Sequence, residues 1–156
     1  MSYMHNQFDS NKHNKYKPLN PEKYKGDVEK IISRSSYEWN FYRWLDSNEN
    51  VLSWVTEPIG IPYVDYTHKK RNYFPDVVFK CKTPSGGSKI YMIEIKPYKE
   101  TIPPVVNKRK KQKTLIYEKQ TWETNCRKWE AAKRYCNLKG WEFKIITENE
   151  LFGQRK

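Results

Sequence analysis

The run NYFPDVVFKCKTPSGGSKIYMIEIK, residues 72–96, decides the fold. It holds two extended stretches rich in β-branched and aromatic residues, NYFPDVVFK (72–80) and KIYMIEIK (89–96). PSGGS between them carries turn residues, so the pair is expected to form an antiparallel hairpin. In the second stretch Ile90, Met92, Glu94 and Lys96 fall on one face, and Tyr91, Ile93 and Ile95 on the other. Apolar residues on both faces predict a central strand with Glu94 and Lys96 at one end. Antiparallel pairing then brings Asp76, on the first stretch, beside Glu94.

Upstream, VLSWV (51–55) and IGIPYV (59–64) read as further short strands, broken by Pro58 and Pro62. Before them a helix is expected over Ser36–Ser47, with Tyr37, Phe41, Trp44 and Leu45 on its buried face. Downstream, residues 97–114 contain Pro97, Pro103, Pro104 and the run KRKKQK. A structureless connection of that length is often functional. A second helix is expected from about Thr121 to Leu138, burying Trp122, Cys126, Trp129, Ala132 and Cys136 and stopping at Gly140. WEFKIIT (141–147) reads as a last strand. This order predicts an α/β fold with a mixed central sheet flanked by helices. Residues 1–30, polar and rich in Asn, Lys and Tyr, are expected to be an extended arm, weakly ordered or laid over a partner, with one domain over 31–156.

Lys and Arg outnumber Asp and Glu by 30 to 18, a net charge of +12, which favours a polyanionic partner and nucleic acid first. No apolar run approaches the roughly 20 residues of a membrane span. The N-terminal stretch MSYMHNQFDSNKHNKYK lacks the apolar core of a secretory signal, so the chain is expected to be neither secreted nor membrane-bound. Cys81, Cys126 and Cys136 have no CxxC spacing, which gives neither a disulfide framework nor a zinc site. On one helix Cys126 and Cys136 stand about 15 Å apart and cannot bridge. Reduced thiols in a cytoplasm fit best. No HExxH, GxGxxG or GxxxxGKS pattern occurs, so no small-molecule cofactor is expected.

Asp76 and Glu94, side by side, offer oxygen ligands to a hard cation, Mg²⁺ first and Mn²⁺ second. Lys96, on the same face as Glu94, can orient or deprotonate an attacking water or stabilise charge building on a phosphate. Metal and lysine together form a working set for phosphodiester hydrolysis. A surface charge cluster is the alternative; the central strand, the hairpin and the basic loop after Lys96 favour chemistry. Glu38 has two readings. With Ser35 it fits a capping box, and it can equally be a third acid projecting from the first helix. Glu57, before Pro58, can approach the same site but reads first as a solvated turn acid, and His68 as a surface or phosphate-contacting residue rather than a base; His5 and His13 fall in the arm. Lys69, Lys70 and Arg71 precede the Asp76 strand, while Lys108, Arg109, Lys110, Lys111 and Lys113 follow Lys96. Both groups flank the expected site and are assigned to DNA phosphates, although solvated charge runs are the common case. No base-reading motif is present.

RSSYE, then FPD, then IEIK, then a helix containing KWEAAKRYC, resembles the PD-(D/E)xK nuclease superfamily, and most closely the head-completion nuclease family of tailed bacteriophages. KYKPLNPEKYKGD, EPIGIPY, IEIKPYKETIPP and WEAAKRYCNLKGWEFKIITENEL extend the resemblance over roughly residues 15–151. It implies a restriction-endonuclease-like core, Asp76 and Glu94 as Mg²⁺ ligands, Lys96 as the catalytic lysine and Glu38 as the helix-borne acid. It further implies a metal-dependent DNA endonuclease acting in virion assembly before tail joining, in the infected cell or the virion, with phage head or portal proteins as partners. Two rival functions stay open: a structural head-completion protein that binds DNA without cutting, and a recombination or repair nuclease of the junction-resolving or transposon-end kind.

Overall fold

The computed structural model describes residues 14–152. Its elements are β1 (Asn14–Lys15), β2 (Ile32–Ser33), α1 (Ser36–Ser47), β3 (Val51–Thr56), β4 (Ile61–Val64), β5 (Lys70–Tyr73), β6 (Val77–Lys82), β7 (Ser88–Ile95), α2 (Gln112–Lys139), β8 (Glu142–Ile146) and α3 (Glu148–Phe152). Strands β3, β6, β7 and β8 form the central sheet in that order. The first three run antiparallel, and β8 lies parallel to β7. A parallel neighbour needs a long crossover, and α2 supplies it. The mixed α/β sheet is as the element order predicts.

The alternation along β7 sorts its side chains onto two cores. Ile93 and Ile95 join Phe41, Leu45 and Trp54 beneath α1. Met92, fully buried, packs against Ala131, Ala132 and Cys136 of α2. The turn after β6 closes with Thr83 N–H donating to the Gly87 carbonyl at 2.9 Å, and Gly86 takes the positive φ of 87°. Gly140 ends α2 at φ 73°, with Trp141 N–H reaching back to the Cys136 carbonyl at 2.8 Å. Cys126 and Cys136 both stand on α2, and all three cysteines are free. No helix among the described residues is long and apolar enough to cross a membrane.

Four expectations need correction. NYFPDVVFK is not one strand: β5 stops at Tyr73 and β6 starts at Val77. Pro75 cannot donate to a ladder and restricts Phe74 before it, so the chain leaves one sheet and enters another there. β5 pairs with β4 in a separate two-stranded hairpin. Second, α2 begins at Gln112, so Lys113 is helical. Its first turns carry good helix formers, but Ile116 and Tyr117 are exposed and add nothing to the buried stripe. Third, α1 buries Trp39, Tyr42 and Asp46 as well as Phe41 and Leu45, and leaves Trp44 half exposed.

The fourth correction explains the third. Residues 14–30 are not a free arm. Asn14 pairs with Ser33 across β1 and β2, and Tyr16 is buried edge-on to Trp39, Tyr42 and Trp54. Asp46, 2% exposed, accepts the Tyr16 hydroxyl at 2.9 Å and the Leu19 and Asn20 backbone N–H groups at 2.7 and 2.9 Å. The segment thus covers a second face of α1. Residues 1–13 of the expected arm, with His5 and His13, lie outside the described residues.

Candidate active site

The break at Pro75 sets Asp76 at the lip of the sheet. Val77 pairs with Ile93, which puts Asp76 opposite Glu94. Asp76 Oδ2 accepts the Ile95 backbone N–H at 2.7 Å. Glu94, on the α2 side of β7 and 6% exposed, accepts the Tyr73 hydroxyl on Oε2 and stands 3.7 Å from Lys96 Nζ through Oε1. Lys96 continues the parallel ladder, its N–H donating to the Ile146 carbonyl at 2.9 Å, so its side chain leaves the sheet beside Glu94. Asp76, Glu94 and Lys96 therefore come together at one sheet edge, where the hairpin reading puts them.

Burial, and then the negative charge of Glu94, raise the Asp76 carboxyl well above its ordinary range. Glu94 is also raised by burial, against the pull of the Tyr73 hydrogen bond and of Lys96 and Lys128. Two neighbouring carboxyls, Glu94 buried and Asp76 half-buried, held up in this way are short of positive charge. Among the described residues, no group of three or more His, Cys, Asp or Glu side chains converges on a common point. The acidic centre is a pair.

Lys128 is the site residue that sequence reasoning misses. It projects from α2 with its ammonium 5.8 Å from the Tyr63 ring and 5.9 Å from the Tyr73 ring. Burial and the nearby Lys96 lower its pKa, while Glu94 and Asp76 oppose them. Tyr63 and Tyr73 come from the β4/β5 hairpin, so that small sheet forms a wall of the site. Nothing in a helical run of lysines singles out Lys128; only the sheet packed beneath it does.

Glu38 serves as a cap. Its N–H donates to Ser35 Oγ at 3.1 Å, and its Oε2 accepts the Arg34 backbone N–H at 2.9 Å, one residue earlier than a standard capping box uses. Its charge also reaches the site. Glu38, Asp76 and Glu57 all act on the buried Tyr42 phenol, raising its pKa behind the larger effect of burial. Glu57 sits at φ 46°, donates its N–H to the Asp76 carbonyl at 3.1 Å and pairs with Arg34 at 2.8 Å. It is a turn residue that braces the Asp76 backbone.

The basic groups divide. Lys69, Lys70, Lys108, Arg109, Lys111 and Lys113 are exposed. Arg71 instead bonds the buried Asp65 at 2.5 Å, inside a turn where Asp65 also accepts from Thr67 and Lys69, and His68 takes φ 68°. Lys110 bonds Glu118 and the Val105 carbonyl, each at 2.7 Å, and ties the loop to α2. For Arg71 and Lys110 the observed partners are carboxylates of the fold.

Residues 48–148 match the family model described as TnsA-like endonuclease N terminal. The span runs from just before β3 to the start of α3 and takes in Asp76, Glu94, Lys96 and Lys128, but not Glu38. The head completion nuclease of Enterobacteria phage T4 is 40% identical over 141 residues, covering 88% of this chain and 91% of that protein. With a mixed sheet that sets two carboxylates and a lysine at its edge, and with matches of this extent, the chain belongs to the TnsA-like endonuclease family, together with the head completion nuclease of phage T4.

Proposed function

We propose that this chain is a divalent-metal-dependent DNA endonuclease that acts in phage head completion, with Asp76 and Glu94 holding Mg²⁺. The observation that carries the reading is the pair itself: two carboxyls side by side at the sheet edge, Glu94 buried and Asp76 half-buried, both raised, with Lys96 3.7 Å from Glu94 and the charge of Lys128 felt at Glu94. A hard divalent cation answers the missing positive charge with an all-oxygen donor set, and a pair of carboxylates leaves room for waters and a substrate phosphate. When bound, such an ion polarises the phosphate and acidifies a water.

The remaining roles belong to the chain. Lys96, partly exposed at the lip, meets the charge that develops on the phosphate. Lys128, over two tyrosine rings, adds a second cation on the α2 side. Glu38 acts through its charge on the Asp76 side and through the cap that fixes α1. The exposed Lys69, Lys70, Lys108, Arg109, Lys111 and Lys113 bind the DNA backbone without reading bases. The assembly step is proposed from the phage T4 relative, whose name is head completion nuclease.

The test is cleavage of supercoiled plasmid by the purified chain in Mg²⁺, Mn²⁺, Ca²⁺ or EDTA. Nicked and linear products are expected in Mg²⁺ and none in EDTA. Cutting that persists in EDTA, or in Asp76→Asn protein, rejects the site. DNA binding without cutting in any ion supports a structural head-completion protein instead.

A further inference from the structure

Between the segment after β7 and α2 lies a hollow of about 470 Å³. One wall is the segment after β7, with Pro103, Pro104 and Val105; the other is a face of α2, with Tyr117, Trp122 and Asn125. Both walls run into the site already described. Lys96 opens the first segment, and Lys128 stands three residues, about 4.5 Å along the axis, beyond Asn125. The hollow is preformed, because Lys110 crosses it to bond Glu118 on α2 and the carbonyl of Val105.

Its lining and its rim differ in chemistry. Inside are proline and aromatic surfaces, with Tyr117 68% and Val105 61% exposed. The charged groups inside are Lys99, Lys110, Glu100 and Glu118, and Lys110 is already spent on Glu118. With Lys110 and Glu118 paired, Lys99 and Glu100 remain, so the interior has no net positive charge and is a poor seat for a phosphate. Lys108, Arg109, Lys111 and Lys113, all exposed, stand on the loop and first turn of α2 that border it. A polyanion backbone fits along that rim, and a flat neutral group fits within. Aromatic faces stack on any base, and the buried Asn125 amide offers both a donor and an acceptor to a base edge.

We propose that the hollow receives one unpaired nucleobase beside the scissile phosphate, so that the preferred substrate is duplex DNA carrying an unpaired or frayed nucleotide. This rests on reading the carboxylate pair as a DNA nuclease site. Binding measured in EDTA separates the two ideas, because no cleavage enters.

The experiment uses the full chain, a fully paired duplex, and the same duplex with a short single-stranded end carrying 2-aminopurine. The wild-type protein is expected to bind the second DNA about tenfold more tightly, as stacking of one base allows, and to quench the probe. Tyr117→Ala is expected to lose both effects while keeping its affinity for the paired duplex. Tyr117 is exposed, so its removal leaves the fold intact, and Tyr117→Phe should behave as wild type. Equal wild-type affinity for the two DNAs overturns the proposal. So does a preference that survives Tyr117→Ala, which would assign the hollow to another occupant such as an apolar peptide. Failure to bind either DNA overturns it, while plasmid cleavage in Mg²⁺ decides the nuclease reading separately. A retained, Tyr117-dependent preference in a protein that never cuts supports the hollow and sinks only the nuclease.

Discussion

Asp76 Oδ2 accepts the backbone N–H of Ile95 at 2.7 Å. Ile95 lies between Glu94 and Lys96, so this one bond fixes the second carboxylate and the lysine relative to the first. It also gives Asp76 a structural task that an amide can perform. Asp76→Asn is therefore expected to keep the fold, since its Oδ1 still accepts, while cleavage falls by about 10²-fold or more. Glu94→Gln and Lys96→Ala should behave alike. Circular dichroism and a plasmid-nicking series check both halves, and wild-type cutting by any of the three would remove that residue from the site.

The same pair sets a pH dependence. A carboxyl raised above its ordinary value binds its proton more tightly in the folded chain than in the unfolded one. The stability this gives is complete below the unfolded pKa and is lost as pH rises through the folded value. Asp76 and Glu94 are both of this kind, whereas Asp65 and Glu148 are lowered and act in the opposite sense. The informative quantity is thus the difference between wild type and Asp76→Asn in metal-free buffer. The variant should gain melting temperature on the wild type as pH climbs from about 4 to about 8. Mg²⁺ should raise the wild-type Tm, most at the upper end where its ligands have lost their protons, and leave Asp76→Asn nearly unmoved.

The sheet and the site were legible for a shared reason: period-two alternation and a glycine turn are local, and together they place Asp76, Glu94 and Lys96 at one edge. What local pattern could not supply was the partner of a buried polar group. Asp46 reads as a surface acid at a helix end until residues 16–20 are laid over it. Arg71 and Lys110 read as phosphate contacts until Asp65 and Glu118 are found beside them. Lys128 is one of several lysines on α2, and its place depends on the β4/β5 hairpin that Pro75 separates from the main sheet.

Glu38 now has a sharper test. Gln at this position can still accept the Arg34 N–H, so Glu38→Gln should change stability by less than about 0.5 kcal/mol. If the charge serves the site, cleavage should drop by about tenfold or more, as for groups just outside a metal's ligands. Glu38→Ala should in addition cost about 1 kcal/mol through the cap. Normal cleavage by Glu38→Gln leaves the cap as its whole role.

Asp46 is expected to be the strongest single anchor of the N-terminal segment. Asp46→Ala strands the Tyr16 hydroxyl and the Leu19 and Asn20 N–H groups together. A hydrogen-bonded charge lost in a buried setting costs about 2–3 kcal/mol. The segment should then become sensitive to limited proteolysis between residues 14 and 30. A variant that melts within a degree of wild type would show that the segment is held by its other contacts, Tyr16 and Tyr24 packing and the Lys23 bonds to the end of α1, without Asp46.

The basic loop gives the last prediction. Lys110 is committed to Glu118, which leaves Lys108, Arg109 and Lys111 as its free cations, with Lys113 on the first turn of α2. Contacts to phosphate release counterions, so log affinity falls with log salt by about 0.9 per phosphate neutralised on duplex DNA. Replacing Lys108, Arg109 and Lys111 with Ala should weaken binding to all sequences alike and make the salt slope shallower by up to about three. Cleavage at saturating DNA should change little, because the carboxylates and Lys96 are untouched. Lys110→Ala should do the reverse. It frees the loop from α2, costs some stability, and alters the slope less than any loop cation that meets DNA. Fluorescence-anisotropy titrations across a salt series distinguish the two variants, and equal slopes for wild type and the triple variant would show that these charges do not touch the DNA.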